Sequence, residues 1–483
     1  MLTFDTSTTD LVGLPPHLRQ LSYCGMDSMM TREIWDKIEP IAVSKDAVGT
    51  YERTRSYLPV ICDTMQQGWK IDVAEKDRVL AEYKRQYRRL ELYFNVYARR
   101  VWGKPLNHRS PKQLQEFFFD ALMIPVKFAT KKGEMRVSTD RNTLEGIARD
   151  YIRGALFANF IMRMRDLEKM IQTLSSGLRD GRWLFNFNAA GTDTFRWSSS
   201  AHPLGYGGNI QNIKDRVRRM FVADEGWTIL NFDQQGAEAR YVAYKCGDED
   251  YINAVETGDV HTIVAAMCFG FEPKRDLAER KYYRDWSYRD ISKRATHGTS
   301  YGGTARTIAR VTKLEEQIIE AFQAKLRVNF PGIFEWQRWV AYQIQTKGYM
   351  TTALGDTRRF FGRTREDTTI RGAIAFEPQS VVGRHTANGL ARVRDLWHPD
   401  IRCLSNGHDA AIFLARGDLF GEIIPLIRKT LTVSIVVPDI HGKERELVIP
   451  WDCAYGQNWG KQLKDKATGA IINPDGLKEY KYV

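Results

Sequence analysis

Apolar side chains recur every three or four residues at Val79, Tyr83, Tyr87, Leu90, Phe94, Tyr97 and Val101. That spacing predicts an amphipathic helix within a long helical stretch over residues 51–101. The other faces carry Lys76, Lys84, Arg85, Arg88 and Arg89, a solvated basic surface. Ser110-Pro-Lys-Gln113 reads as a capping box with proline at the first helical position, opening a helix over 112–122. Ser138 and Thr139 are candidate caps for a helix over 141–151.

Further on the pattern changes. Residues 183–280 mix strand-like apolar runs with helices. Residues 281–346 are mostly helical, with an interruption at Phe330-Pro331-Gly332. Residues 347–483 return to strands and helices. The run Trp227-Thr-Ile-Leu-Asn-Phe232 predicts a strand that ends on Asp233. Asn406-Gly407 is a strong hairpin signal between two apolar runs, and it puts His408 and Asp409 at a hairpin tip. Between these segments a helix over 288–302 carries Arg289, Lys293, His297 and Tyr301. Positions four apart drift by only ~40° per step, so the four form one winding stripe.

Composition narrows the partners. The chain has 483 residues, 43% hydrophobic and 27% charged, which suits a folded protein of two or three subdomains. Lys and Arg number 71 against 59 Asp and Glu, a net charge of +12 that favours a polyanion, nucleic acid first. The six cysteines form no CxxC pair and no Cys/His cluster with zinc spacing, so they read as reduced thiols of a cytosolic protein. Met1-Leu-Thr-Phe-Asp5 lacks the basic start of a signal peptide, and no apolar run reaches the length of a membrane span. Against a basic helix, two strand-end aspartates suit nucleotidyl transfer assisted by two Mg²⁺ ions. Mg²⁺ takes carboxylate and phosphate oxygens, and two close carboxylates repel unless a cation lies between them.

The segments Asp233-Gln-Gln-Gly-Ala-Glu-Ala-Arg240, Arg289-xxx-Lys293-xxx-His297-xxx-Tyr301-Gly302 and His408-Asp409, in this order, resemble motifs A, B and C of family A DNA polymerases. The resemblance covers about residues 50–460 and implies an α+β right-hand fold with a palm sheet, helical fingers and a helical thumb. It implies a remnant of a 3′–5′ exonuclease domain over 1–45, thumb and palm entry over 46–182, palm over 183–280, fingers over 281–346 and palm over 347–483. The implied function is template-directed extension of a primer 3′ end with deoxynucleoside triphosphates. Two Mg²⁺ ions, for which Mn²⁺ can substitute, would be held by Asp233 and Asp409. Lys293 would serve as catalytic acid. Nucleotide contacts fall on Arg289, Lys293, His297, Tyr301, Glu238, His261 of Asp259-Val-His261, and Gln234. Glu238 would exclude ribonucleotides. DNA contacts fall on Arg196 of Arg196-Trp-Ser-Ser, on Asn209 and Asn212 of Asn209-Ile-Gln-Asn212, and on Arg371, Gln379 and His408, while Arg240 is either structural or DNA-contacting. Gly456-Gln-Asn-Trp459 matches the family's C-terminal signature.

Several positions depart from the pattern. Ala410 stands where it has glutamate, Ala375 where it has asparagine, His297 where it has Phe or Tyr, and Gly236 where a larger residue is common. Residues 202–208 are inserted between the two halves of the minor-groove segment. Tyr23-xxx-Asp27 resembles the third exonuclease motif, but a two-metal nuclease needs more carboxylates than one. The expectation is therefore an enzyme without its own proofreading. It is of bacteriophage type and resides in the cytoplasm (the host's, if viral). Its partners are primer-template DNA, deoxynucleotides, a separate exonuclease chain or a processivity factor, and no membrane. Two alternatives stay open: a single-subunit phage-type RNA polymerase, and a non-catalytic DNA-binding replisome subunit.

Overall fold

Five antiparallel strands form the centre, in the order Ile401–Asn406, Ala410–Arg416, Trp227–Gln234, Trp451–Gly456 and Lys478–Glu479. The computed structural model describes residues 13–131, 134–465 and 468–482. Trp227–Gln234 is the middle strand because it is apolar on both faces. Thr228, Ile229, Leu230 and Phe232 are all buried. The predicted hairpin forms, with Asn406 opposite Ala411 and the turn between them. The helix Asp367–Arg394 packs behind it, with Ala387, Leu390 and Val393 joining the sheet's core.

Two helical cores flank the sheet. Tyr288–Ser300, Ala305–Thr312, Glu316–Asn329 and Pro331–Lys347 close around Ile291, Phe322 and Trp336. Pro331 breaks the helix as the sequence suggested and starts the next one at its first position. In the second, Val73–Trp102 packs along Ile152–Leu174, with Phe94, Phe117 and Phe157 joining one buried cluster.

The predicted helix over 51–101 is in fact three helices, Val48–Arg55, Leu58–Gln67 and Val73–Trp102. Gly68 causes the main break. Its φ of +57° is left-handed, and a β-carbon there would stand 2.4 Å from Leu184 Cδ2. Trp69 then pairs with Trp183 in a short ladder. Tyr97 and Val101 turn out exposed, and Ala98 continues the buried stripe from Phe94. Ser110 caps its helix by accepting from Gln113 N, but Gln113 Oε1 accepts from Asn107 N, so the box is half formed. The helix then widens into a π turn at Glu116–Ala121, where three consecutive phenylalanines are all buried. Asp140, rather than Ser138 or Thr139, caps Arg141–Asp150 by accepting from Thr143 N at 2.8 Å.

Tyr23 and Asp27 lie on Pro16–Ser44, a helix without a single buried residue. The leader reading of Met1–Asp5 concerns residues outside the described ones. The tail after Trp459 contributes Lys478–Glu479 to the sheet edge.

Candidate active site

Asp233 is the penultimate residue of the middle strand, with Ala410 opposite it on one neighbour and Asp452 on the other. Directly paired residues of antiparallel strands point to the same face. The hairpin turn brings Asp409 to that edge. Gln234 N donates to Asp409 O at 3.0 Å, and Gly407 N to Ala410 O at 2.7 Å. His408 sits at φ 75°, its backbone N–H donating to Asn406 Oδ1 at 2.8 Å. All three aspartates are accessible, while protein walls surround Asp233 as at the floor of a cleft. That enclosure, then the charges of Asp409 and Asp452, raise the Asp233 pKa to about 6, with Lys461 and Lys293 opposing.

Such a floor is short of positive charge, which fits a cation. Among the described residues no three acidic, imidazole or thiol side chains converge as a preformed cage. An open carboxylate floor completed by water and substrate phosphates is the usual form of a Mg²⁺ site.

The basic helix faces this floor. Ser287 and Asp290 form a complete capping box at its start. Lys293 and His297 are exposed, and Lys293 is close enough to depress the pKa of both Asp233 and His261. Arg289 is already engaged. Its Nε and Nη2 donate to Asp259 at 2.6 and 3.1 Å. Burial alone would raise Asp259, but hydrogen bonds from Arg289 and Thr262 hold it at about 2. Burial lowers His261 to about 4, so its ring is neutral at neutral pH.

Glu238 joins three segments. One carboxylate oxygen accepts from Arg196 Nη2 and the other from the Tyr301 hydroxyl. His297 Nδ1 stands 3.7 Å from the same carboxylate, and its ring meets Tyr301 edge-on with centroids 4.8 Å apart. Arg196 Nε donates to the Gln379 carbonyl at 3.1 Å. Gly236, at φ +56°, makes the sharp turn from strand to helix that presents Glu238.

One sequence expectation is corrected and one open alternative is narrowed. The Gln234 side chain leaves the aspartate face and donates to Thr386 Oγ1 at 2.6 Å beneath the sheet, as strand alternation requires. Arg240 is buried against Glu256 Oε1 at 2.6 Å and the Gln235 carbonyl at 3.0 Å, a framework contact rather than an exposed DNA ligand. Asn209 Oδ1 accepts from Asn212 N, which shapes that loop and leaves Asn212 exposed. Arg371 is half-buried on Asp367–Arg394, its Nε donating to the Asp367 carbonyl. Sequence reasoning missed Asp452 and Gln211. Gln211 Nε2 donates to the Asn406 carbonyl at 3.2 Å and reaches His408 Nδ1 at 3.5 Å. The one available signal for Asp452 was its place in a short strand leading into Gly456-Gln-Asn-Trp459.

The family model for DNA polymerase family A matches residues 72–384. The thermostable DNA polymerase I of Thermus filiformis is 29% identical over 347 residues, 68% of this chain and 38% of its own length. DNA polymerase I of Synechocystis is 25% identical over 468 residues, 87% of this chain and 44% of its own. The chain thus spans less than half the length of these curated relatives. Among solved structures, the POL domain of Pol1 from M. smegmatis, in complex with DNA primer-template and dNTP, superposes with a TM-score of 0.68. It is 24% identical, over 84% of this chain and 70% of that one.

Proposed function

The chain belongs to DNA polymerase family A, and on that premise we propose that it extends a primer 3′ end along a DNA template with deoxynucleoside triphosphates. The observation that carries this is the pairing of Asp233 with the Asp409 turn beside an exposed Lys293. In this reading residues 46–182 are the thumb and palm entry, 183–280 and 347–483 the palm, and 281–346 the fingers.

Asp233 and Asp409 would hold two Mg²⁺ ions, with Asp452 adding charge to the same floor. When bound, the ions supply activation of the attacking primer oxygen and stabilisation of the leaving pyrophosphate. The protein's own groups do the rest. Lys293 offers its ammonium to the triphosphate and holds a proton for the departing pyrophosphate. Arg289 already carries its carboxylate partner, so it contributes charge from a fixed position instead of swinging onto the substrate. Neutral His261 offers a hydrogen bond to a phosphate without adding charge. Glu238, braced by Arg196 and Tyr301, is a rigid obstacle where a ribose 2′ oxygen would sit, and His297 lies beside it. Asn209, Asn212, Arg371, Gln379 and His408 stand as candidate primer-template contacts.

Tyr23 and Asp27, both on the exposed Pro16–Ser44 helix, fit an exonuclease remnant. The phage-type reading rests on the compact, divergent form of the chain and on unusual motif residues such as Ala410, Ala375 and His297. The relatives reported above are bacterial and lend it no support. No described helix is long and apolar enough to cross a membrane, and a cytoplasmic site is part of this proposal.

The test offers deoxynucleotides and ribonucleotides in parallel on a primed DNA template with Mg²⁺. Extension confined to deoxynucleotides supports the reading. Preference for ribonucleotides favours the RNA polymerase alternative, and no extension by a folded chain that binds DNA favours the non-catalytic one.

A further inference from the structure

The hairpin of Tyr349–Thr351 and Thr357–Arg359 runs into Phe360-Phe361-Gly362 before the helix Asp367–Arg394 begins. Phe360 is packed: its ring lies 6.3 Å from that of Phe376, with the Arg358 guanidinium 4.8 Å above it. Phe361 is 93% exposed. A lone exposed aromatic means little, but this one edges an open cavity of about 520 Å³. The cavity's other walls include Phe195, Arg358, Thr369 and Gly372.

Place and charge give the cavity meaning. Arg371, next to Gly372, packs its Cγ within 3.3 Å of where a β-carbon on Gly302 would lie. The helix that walls the cavity at Gly372 thus also touches the Tyr301–Gly302 end of the basic helix. The cavity's lining carries Arg358 and Arg359 against Asp193, and the segment between its lining residues Gly362 and Thr368 adds Arg363 and Arg365 against Glu366 and Asp367. Arg358 pairs with Asp193 at 2.7 Å and Arg363 with Glu366 at 3.4 Å, while Arg359 lies over the Tyr349 ring at 5.1 Å. Arg363 keeps 87% of its side chain in solvent. Aromatic faces among cations suit single-stranded nucleic acid, because every base has a stacking face and every phosphate a charge.

We propose that this cavity receives the unpaired template strand, with a base stacked on Phe361 and the flanking phosphates on the arginines. The inference rests on the polymerase reading above, in which the template ahead of the primer end is still unpaired.

The test is fluorescence anisotropy with the full chain and two primer-templates, one with a long 5′ template overhang and one with a single-nucleotide overhang. The parent is expected to prefer the long overhang. Phe361→Ala should lose about tenfold in affinity for it, the scale of one stacked base, and bind the short one as the parent does. Phe361→Trp should restore the preference. Loss on both substrates alike, or no loss, overturns the inference. Primer extension separates the two readings. If the parent extends primers while Phe361→Ala keeps its overhang preference, only this inference falls. If the parent neither binds nor extends, the polymerase reading falls with it.

Discussion

Asp233 and Asp452 stand directly opposite one another on adjacent antiparallel strands, and Asp452 contributes to holding Asp233 well above the usual carboxylate range. On Asp233's other side the paired position is Ala410, which carries no charge. The acidic floor thus leans toward Trp451–Gly456. Asp452→Asn should weaken Mn²⁺ binding, followed by electron paramagnetic resonance, by about tenfold, equivalent to one unit of pKa interaction. Ala410→Glu should strengthen it by a similar factor. Unchanged binding in both variants would remove Asp452 from the floor.

Asp356 and Arg384 are both fully buried, joined at 3.1 and 3.3 Å, and Arg53 reaches the same carboxylate at 2.7 Å. This knot ties Val48–Arg55 to the helix behind the sheet. Asp356→Ala would strand a buried guanidinium and should lower unfolding stability by about 3–5 kcal/mol. A urea titration measures it, and a loss below about 1 kcal/mol would contradict the account.

His385 is buried, with its ring stacked 5.8 Å from that of Trp451, and burial lowers its pKa to about 4. Its folded pKa lies below the unfolded value of about 6.5, so the unfolded chain binds the proton more readily. Its contribution is therefore neutral above pH 6.5, and stability falls as pH drops from about 6.5 to 4, by up to about 3 kcal/mol. His261 acts in the same direction. Urea midpoints at stepped pH should fall less steeply in His385→Gln than in the parent.

His297 lies beside the Glu238 carboxylate and edge-on to Tyr301, where its imidazole can hold a hydrogen bond to a sugar or phosphate oxygen. Incorporation of chain-terminating relative to normal nucleotides should differ between the parent and His297→Phe by roughly fivefold, the worth of one neutral hydrogen bond, with His297→Tyr between them. Equal ratios in all three enzymes would end this role.

The middle strand, the hairpin tip at Asp409 and the helix from Tyr288 were legible in sequence because each has a local cause: an apolar run, an Asn-Gly turn, a four-residue repeat. The break at Gly68 was not, since it depends on Leu184 and Trp183 more than a hundred positions away. The clamp of Arg289 by Asp259 and the pairing of Arg240 with Glu256 span only 30 and 16 positions, but they depend on how neighbouring helices pack. A motif gives a residue's identity, but whether its charge is free depends on which helix packs against it. Asp452 was missed because its meaning comes from register with Asp233.

The most direct measurement is Mg²⁺-dependent primer extension by the parent, Asp233→Asn and Asp409→Asn, with primer-template binding measured alongside. Extension by the parent and its loss in both variants, with DNA binding retained, is the expected result. Extension by either variant at the parent's rate would contradict it.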